Sequence, residues 1–460
     1  MECTPHARRR ATILVALHIL AGCAVLAFSA PAAPLDDTYI HLVFGRSLVR
    51  GGFMQFNPGV PTTGLTSPLW ILPSAAASLA GGSAPVVLML ISALAGALTI
   101  PAGGEAALLL LLCGPLLFHS TSGMETALAA LLATLITAGL ASGRLRGRSL
   151  GILLAAACLT RPESAVLCIP AAMKAEGRKE AARRVIPPAL ALALWAAWNL
   201  HASGSILPST FHAKAARPFY GDLPHLIVRL FFSAPLALTA AIPGTIGMAR
   251  RRDSAWLCVP LLAAAAVLTA PNQYNQLRYH VPWLCASMPA AASWLRGRGL
   301  SLRRAPARST ALAAAAVLMV PGAAFFIRQR VRAASDVWSI DVRPAILVDS
   351  LAEEGDVVAA CDIGATAWIT ELEVIDLDGL VTPERLPGRG RAGWGWIAER
   401  SDWLIAFPGQ YSGLVREADG DLTPVAGFAS AHPVVCGEDT VSVWRVSRSS
   451  PPGATGSASL

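Results

Sequence analysis

Two adjacent carboxylates, Asp36-Asp37, stand directly behind the first apolar run of the chain, with Thr38-Tyr39 after them. Neighbouring carboxylates repel, so each raises the other's affinity for a proton. Such a pair can act as a general base towards a hydroxyl, or hold a divalent cation through its oxygens. It can also simply end one helix and cap the next. Four more polar segments break later apolar runs: Ser122-Gly123-Met124-Glu125-Thr126, Arg161 with Glu163, Leu207-Pro208-Ser209-Thr210-Phe211-His212-Ala213-Lys214, and Asn275-Gln276-Leu277-Arg278-Tyr279-His280. If they converge, carboxylates face cations across one pocket, which suits an anionic, lipid-linked substrate gripped by its phosphate. Taken singly, each basic residue also fits snorkelling at a membrane interface. The candidate set is therefore Asp36 and Asp37 for catalysis, and for a metal if one binds. Tyr39, Glu125, Arg161, Glu163, His212, Lys214, Arg278 and His280 are the candidates for binding substrate.

The elements that must position these residues belong to a membrane. A chain of 460 residues that is 54% hydrophobic and 14% charged is too apolar for an ordinary soluble domain. Apolar runs at about 11–33, 84–101, 104–118, 124–142, 149–160, 163–173, 185–201, 226–248, 255–271, 280–296 and 309–327 predict eleven crossings. The first run is longer than a signal-peptide core and is read as an uncleaved span. The net charge of +8 sits in short clusters without interleaved aromatics, which argues for topology and against nucleic acid. With the N-terminus in the cytoplasm, the clusters 8–10, 144–148, 174–184, 250–252 and 296–308 all fall inside and hold 19 of the 37 basic residues. That agreement requires a helix break at Thr160-Arg161-Pro162-Glu163, where proline removes a backbone donor. Arg328, Arg330 and Arg332 fall outside and run against the rule. The apolar stretch 68–82 is short and begins at Pro68; it is expected to lie in the outer interface, with Trp70 at the lipid headgroups.

Three domains follow: a transmembrane unit at 1–328, a soluble extracytoplasmic α/β domain at 329–448, and a disordered Ser, Pro and Gly-rich tail at 449–460. In the soluble part, strand-like runs at 356–360 and 373–377 alternate with a helix candidate at 343–353. Asp362, Asp376 and Asp378 end or follow strands, where turn capping and a functional site are both open. Nine cysteines show no zinc-finger spacing, and Cys361 and Cys436 can pair if this domain faces an oxidising compartment.

Several of these segments, taken in order, resemble the motifs of glycosyltransferases of the GT-C fold, and among them the terminal arabinofuranosyltransferase-like group. They are Asp36-Asp37-Thr38-Tyr39-Ile40, Phe56-Asn57-Pro58-Gly59, Leu65-Thr66-Ser67-Pro68-Leu69-Trp70, Ser122 to Thr126, Leu159-Thr160-Arg161-Pro162-Glu163, Leu207 to Lys214, Arg278-Tyr279, and Asp362-Ile363-Gly364-Ala365 with Val374 to Leu380. The resemblance covers about residues 30 to 385. It departs at Thr63-Gly64-Leu65, where the family has an acid and an aromatic, and at Val43-Phe44-Gly45, where the family has Arg-Tyr-Ala. It implies an inverting transferase in the cell membrane that moves a sugar, arabinofuranose in the named group, from a polyprenyl-phosphate donor. The acceptor would be a cell-envelope glycan or lipid on the outer face, with Asp36 or Asp37 as base. A divalent cation is compatible with this reading. Membrane lipids are expected partners and nucleic acid is not. A transporter or lipid flippase would also carry broken helices and buried charge, but the halves show no internal repeat. An inactive, glycan-binding homologue is the third reading.

Overall fold

The computed structural model describes residues 5–215, 223–269, 274–298, 317–386, 392–418 and 420–447. The tail from 449 and residues 309–316 of the run 309–327 lie outside the described residues. Among the described residues, three helices are long and apolar enough to cross a membrane: Arg9–Ala27, Gly81–Ala102 and Arg178–Ser203. The run expected as a single span at 226–248 is instead two helices, Leu223–Ser233 and Pro235–Arg250, bent by 99°. The bend falls where Ala234 leaves helical geometry just before Pro235, which cannot continue the hydrogen-bond ladder.

Other expected spans are shorter. Thr126–Ser142, Gly147–Thr160 and Ser254–Thr269 are apolar helices of fewer than 18 residues. The run at 104–118 is interrupted between the helices Ala107–Leu111 and Gly114–Ser120, and the run at 280–296 between Val281–Ala286 and Met288–Gly297. In each case a proline opens the second helix. The break expected at Thr160 to Glu163 is present: Gly147–Thr160 ends at Arg161 in extended geometry, and Pro162 starts a 3-10 turn that runs to Leu167.

Immediately after the first long helix, Asp37–Val49 forms a second one that is buried on almost every side from Thr38 to Gly45. One face lies on the helix Ile71–Ser78, so closely that a Cβ on Gly45 would stand 2.4 Å from the carbonyl carbon of Ser74. Trp70, expected at the lipid headgroups, does not face lipid. Trp70 is buried, and its indole N–H donates to the carbonyl of Gly123 at 3.0 Å, which satisfies the one polar atom that burial would otherwise strand.

The opposite face of Asp37–Val49 packs on the helix Ile363–Thr370 of the C-terminal part. There, β1 (Val357–Ala360), β2 (Glu373–Asp376), β3 (Trp403–Ala406), β4 (Leu422–Ala429) and β5 (Thr440–Val446) form one mixed sheet in the order β2-β1-β3-β5-β4. β1 pairs in parallel with β2 and β3, whereas β5 is antiparallel to β3 and β4. The run Trp403-Leu404-Ile405-Ala406 is buried throughout, as expected of a central strand covered on both faces. Ile40, Val43, Phe44 and Phe56 share a single core with Val358, Ile363, Leu377 and Trp394, so the first loop and the C-terminal sheet bury each other. The helix Val320–Val337 runs without interruption into this unit and continues as a π-helical turn, Trp338–Val342. The disulfide considered for Cys361 and Cys436 is not formed. Both thiols are free, and Cys436 lies against Asp341 instead, 3.8 Å from its Oδ2.

Candidate functional site

Asp36 occupies the position before the helix Asp37–Val49, but its side chain makes no bond to that helix. It reaches into the C-terminal unit, where Oδ2 accepts from the amide of Gly364 and Oδ1 from the amide of Ala365, both at 2.7 Å. These amides open the helix Ile363–Thr370, so a residue from the first loop supplies the N-terminal carboxylate that Asp362, standing at the cap position, does not. Glycine is needed for this approach: a Cβ on Gly364 would lie 2.3 Å from the carbonyl oxygen of Asp36. Burial raises the Asp36 carboxyl to about 6, with Asp37 adding to the rise and the two amides opposing it.

Asp37 points the other way and pairs with Arg278. The guanidinium of Arg278 also binds Glu125, at 3.0 Å to Oε1 and 3.3 Å to Oε2. Glu125 is fully enclosed and collects three partners, since Arg161 approaches Oε1 at 2.8 Å and His41 Nε2 approaches Oε2 at 3.3 Å. Arg161 in turn binds Glu163 at 3.0 Å and lies over the ring of Tyr279, 4.6 Å from its centroid. Charges enclosed in this way persist only when paired, and here each guanidinium bridges two carboxylates. The loop that delivers Arg278 is strained. Asn275, Gln276 and Leu277 take φ of 50°, 57° and 64°, a left-handed run that costs side-chain-bearing residues about 1 kcal/mol or more apiece.

Above this network opens a cleft of about 340 Å³ lined by Asp36, Asp37, His41, Arg278, Asp362 and Asp378, with Gly64, Leu65 and Thr66 at its rim. Four carboxylates thus face one space. Burial and the neighbouring acids Asp36 and Asp378 push Asp362 well above the ordinary carboxyl range. Asp378 is held by the Tyr411 hydroxyl, which donates to it at 2.8 Å. Asp376 lies behind the cleft in a capping role: its carboxylate accepts from the amides of Asp378 and Val381 at 2.9 and 3.1 Å. Burial and Asp378 raise it to about 7.

The residues singled out from sequence divide into three groups. Asp36, Asp37 and Arg278 line the cleft, and Glu125, Arg161 and Glu163 form the ion network beneath it. Tyr39, His212 and His280 lie elsewhere: the Tyr39 hydroxyl accepts from the amide of Ala33 at 3.1 Å, His212 is 3.0 Å from Ser205, and His280 accepts from the indole of Trp283 at 3.1 Å. The Lys214 side chain lies outside the described residues. The two adjacent carboxylates have different partners: the oxygens of Asp36 accept from the amides of Gly364 and Ala365, whereas Asp37 pairs with Arg278. His41 was not anticipated. Its signal was its place four residues after Asp37 on the same helix face. A second groove of about 680 Å³, lined by Phe53, Leu159, Leu190, Leu194, Trp195 and Trp198, runs along the long helix Arg178–Ser203 and is almost wholly apolar.

Residues 330–444 match a family described as a domain of unknown function (DUF8728). No curated protein matches the chain. Among solved structures it is similar to ArnT from Cupriavidus metallidurans in the apo state, with a TM-score of 0.57 and 12% identity over 95% of this chain and 98% of that one. The same protein bound to undecaprenyl phosphate gives the same values. The archaeal oligosaccharyltransferase AglB from Archaeoglobus fulgidus, solved with an inhibitory peptide and a dolichol-phosphate, gives a TM-score of 0.55 and 11% identity over 91% of this chain and 74% of that one. Likeness at such low identity is likeness of fold, and the fold of this chain is the helical membrane architecture of the GT-C type with a small mixed sheet at its C-terminal end.

Proposed function

We propose that the protein is an inverting glycosyltransferase that takes a sugar from a polyprenyl-phosphate donor and passes it to a glycan or lipid acceptor in the cell envelope. The observation that carries this reading is the cleft itself, where the Asp36 carboxylate and the Arg278 guanidinium share one space. Two of the solved structures with this fold hold undecaprenyl phosphate and dolichol-phosphate, which supports a polyprenyl phosphate as the donor's carrier. The apolar groove along Arg178–Ser203 takes the isoprenoid chain. The phosphate reaches Arg278 and replaces Asp37, the more exposed of its two carboxylate partners.

Asp36 is the base in this proposal. A carboxylate with a pKa of about 6 is ionised at neutral pH yet a better proton acceptor than an ordinary one. It takes the proton of the acceptor hydroxyl while that oxygen bonds to the anomeric carbon. The bond from that carbon to the phosphate oxygen breaks on the opposite face, and the phosphate leaves with the electron pair, its charge met by Arg278. In this proposal the chain crosses the membrane eleven times with its N-terminus in the cytoplasm, so that the cleft opens outside the cell. Arabinofuranose is the proposed sugar, on the strength of the motif resemblance alone. Membranes carrying the wild type or Asp36→Asn at matched levels are supplied with radiolabelled polyprenyl-phosphate sugars. Transfer that the substitution abolishes supports the proposal, and transfer that it leaves intact removes Asp36 from the mechanism.

A further inference from the structure

Asp362 of the cleft wall also belongs to a second group of acids that the proposed transfer does not use. Asp336 ends the helix Val320–Val337, Asp341 sits in the π-helical turn that follows, Asp362 leaves β1, and Cys436 comes from the loop between β4 and β5. Ligand atoms of Asp341, Asp362 and Cys436 all lie within 4.8 Å of one another, and the contact between Cys436 Sγ and Asp341 Oδ2 measures 3.8 Å. Two ligands on a tetrahedral zinc ion are separated by roughly 3.3–3.8 Å, given metal–oxygen and metal–sulfur bonds of about 2.0 and 2.3 Å.

An acidic cluster with a thiol is not by itself a metal site, and a second observation decides here. Asp341 is 3% exposed, and its Oδ1 has no hydrogen-bond partner. Asp336 is fully buried beside it. Its Oδ2 accepts from the amides of Val434, Val435 and Cys436, while its Oδ1 is also unpartnered. Two enclosed carboxylates with an orphaned oxygen each are costly unless something positive meets them. Among the described residues, none of these four side chains has an ion pair with Lys, Arg or His. Burial and their mutual repulsion push Asp341 and Cys436 far up, a cost that a bound cation would remove.

We infer that Asp341, Asp362 and Cys436 form a binding site for a divalent transition-metal ion of the zinc class. Sulfur excludes magnesium and calcium as the preferred occupants, and two carboxylate oxygens with one thiolate suit zinc. Binding sends the thiol proton, with any carboxyl proton, to solvent. The ion ties the β4–β5 loop and the end of the helix Val320–Val337 to Asp362 in the cleft wall. The inference does not depend on the proposed transfer, because its readouts are metal content and absorption.

The full-length protein, purified in detergent, is assayed for bound metal, then stripped with chelator and titrated with Co²⁺. About one zinc per chain is expected in the wild type, with at least a fivefold loss in Asp341→Asn and Cys436→Ser. Co²⁺ should give a thiolate-to-cobalt charge-transfer absorption that Cys436→Ser removes and Cys361→Ser keeps. Thermal unfolding shows whether the variants are folded. The wild-type titration stands without them if they are not. A wild type that purifies without metal and gives no charge-transfer band overturns the inference, and so does a band that survives Cys436→Ser in a folded protein.

Discussion

The carboxylate of Asp36 accepts a hydrogen bond from the amide of Gly364 at 2.7 Å, across 328 positions of sequence. This contact, with its companion at Ala365, fastens the first loop of the membrane unit to the first turn of a helix in the C-terminal unit. It also fixes where the Asp36 carboxylate stands in the cleft.

Gly364→Ala should therefore behave as a lesion of the active cleft although position 364 carries no reactive group. The added Cβ would meet the Asp36 carbonyl oxygen at 2.3 Å and its carboxylate oxygens at 2.8 and 2.9 Å, so the two segments must part. Loss of the N-terminal carboxylate costs about 1 kcal/mol. Transfer is expected to fall at least tenfold while the protein still purifies as a folded monodisperse species. Wild-type transfer in this variant would show that the placement of Asp36 is unimportant.

The pH dependence of rate and of stability should run in opposite directions for Asp36. If it is the base, transfer rises with pH through about 6 as the carboxyl ionises. Its folded pKa lies above the unfolded value of 3.8, so the folded state binds the extra proton. Its contribution to stability accordingly falls as pH rises from about 4 to about 6 and stays low above that. Rate profiles for the wild type, and thermal unfolding at pH 5 and pH 8 for the wild type and Asp36→Asn, test both limbs. The variant should lack this part of the loss between the two pH values.

Asp36→Asn and Asp37→Asn should part company in kinetics. Removing a general base costs about 10²–10⁴ in kcat, and that loss is expected for Asp36. Asp37 pairs with Arg278, and under the proposed mechanism it competes there with the donor phosphate, so Asp37→Asn should lower KM for the donor with less than a tenfold change in kcat. The reverse pattern would transfer the role of base to Asp37.

Glu125 holds Arg161, Arg278 and His41 together from an enclosed position. Glu125→Ala leaves two guanidinium groups short of a carboxylate and should destabilise the fold by about 3–5 kcal/mol. Glu125→Gln keeps the shape and loses the charge, so it should be milder. Unfolding midpoints of the two variants in detergent rank the effects, and equal midpoints would mean that charge is irrelevant there.

Much of this site was legible in the chain. The adjacency of Asp36 and Asp37 follows from sequence, as does the break at Thr160 to Glu163, because proline at 162 acts on its immediate neighbours. Membrane class follows from composition. The recurrence of Glu125, Arg161 and Arg278 in polar gaps between apolar runs marked them as candidates before any contact was known. Periodicity alone could not separate a lipid-facing tryptophan from a buried one. Trp70 was settled by the carbonyl of Gly123, which the fold brings within 3.0 Å.

The tertiary structure alone decided which partners each carboxylate has. Asp36 and Asp37 are equivalent by sequence, yet the start of the helix between them turns one towards the amides of Gly364 and Ala365 and the other towards Arg278. Cys436 likewise lies beside Asp341 and not Cys361, since the β4–β5 loop folds over the end of the helix Val320–Val337. Local pattern fixes what a residue can offer, through its charge, its size and the dihedrals it tolerates. Its partners are set by segments hundreds of positions away, and no spacing in the chain records where those segments return.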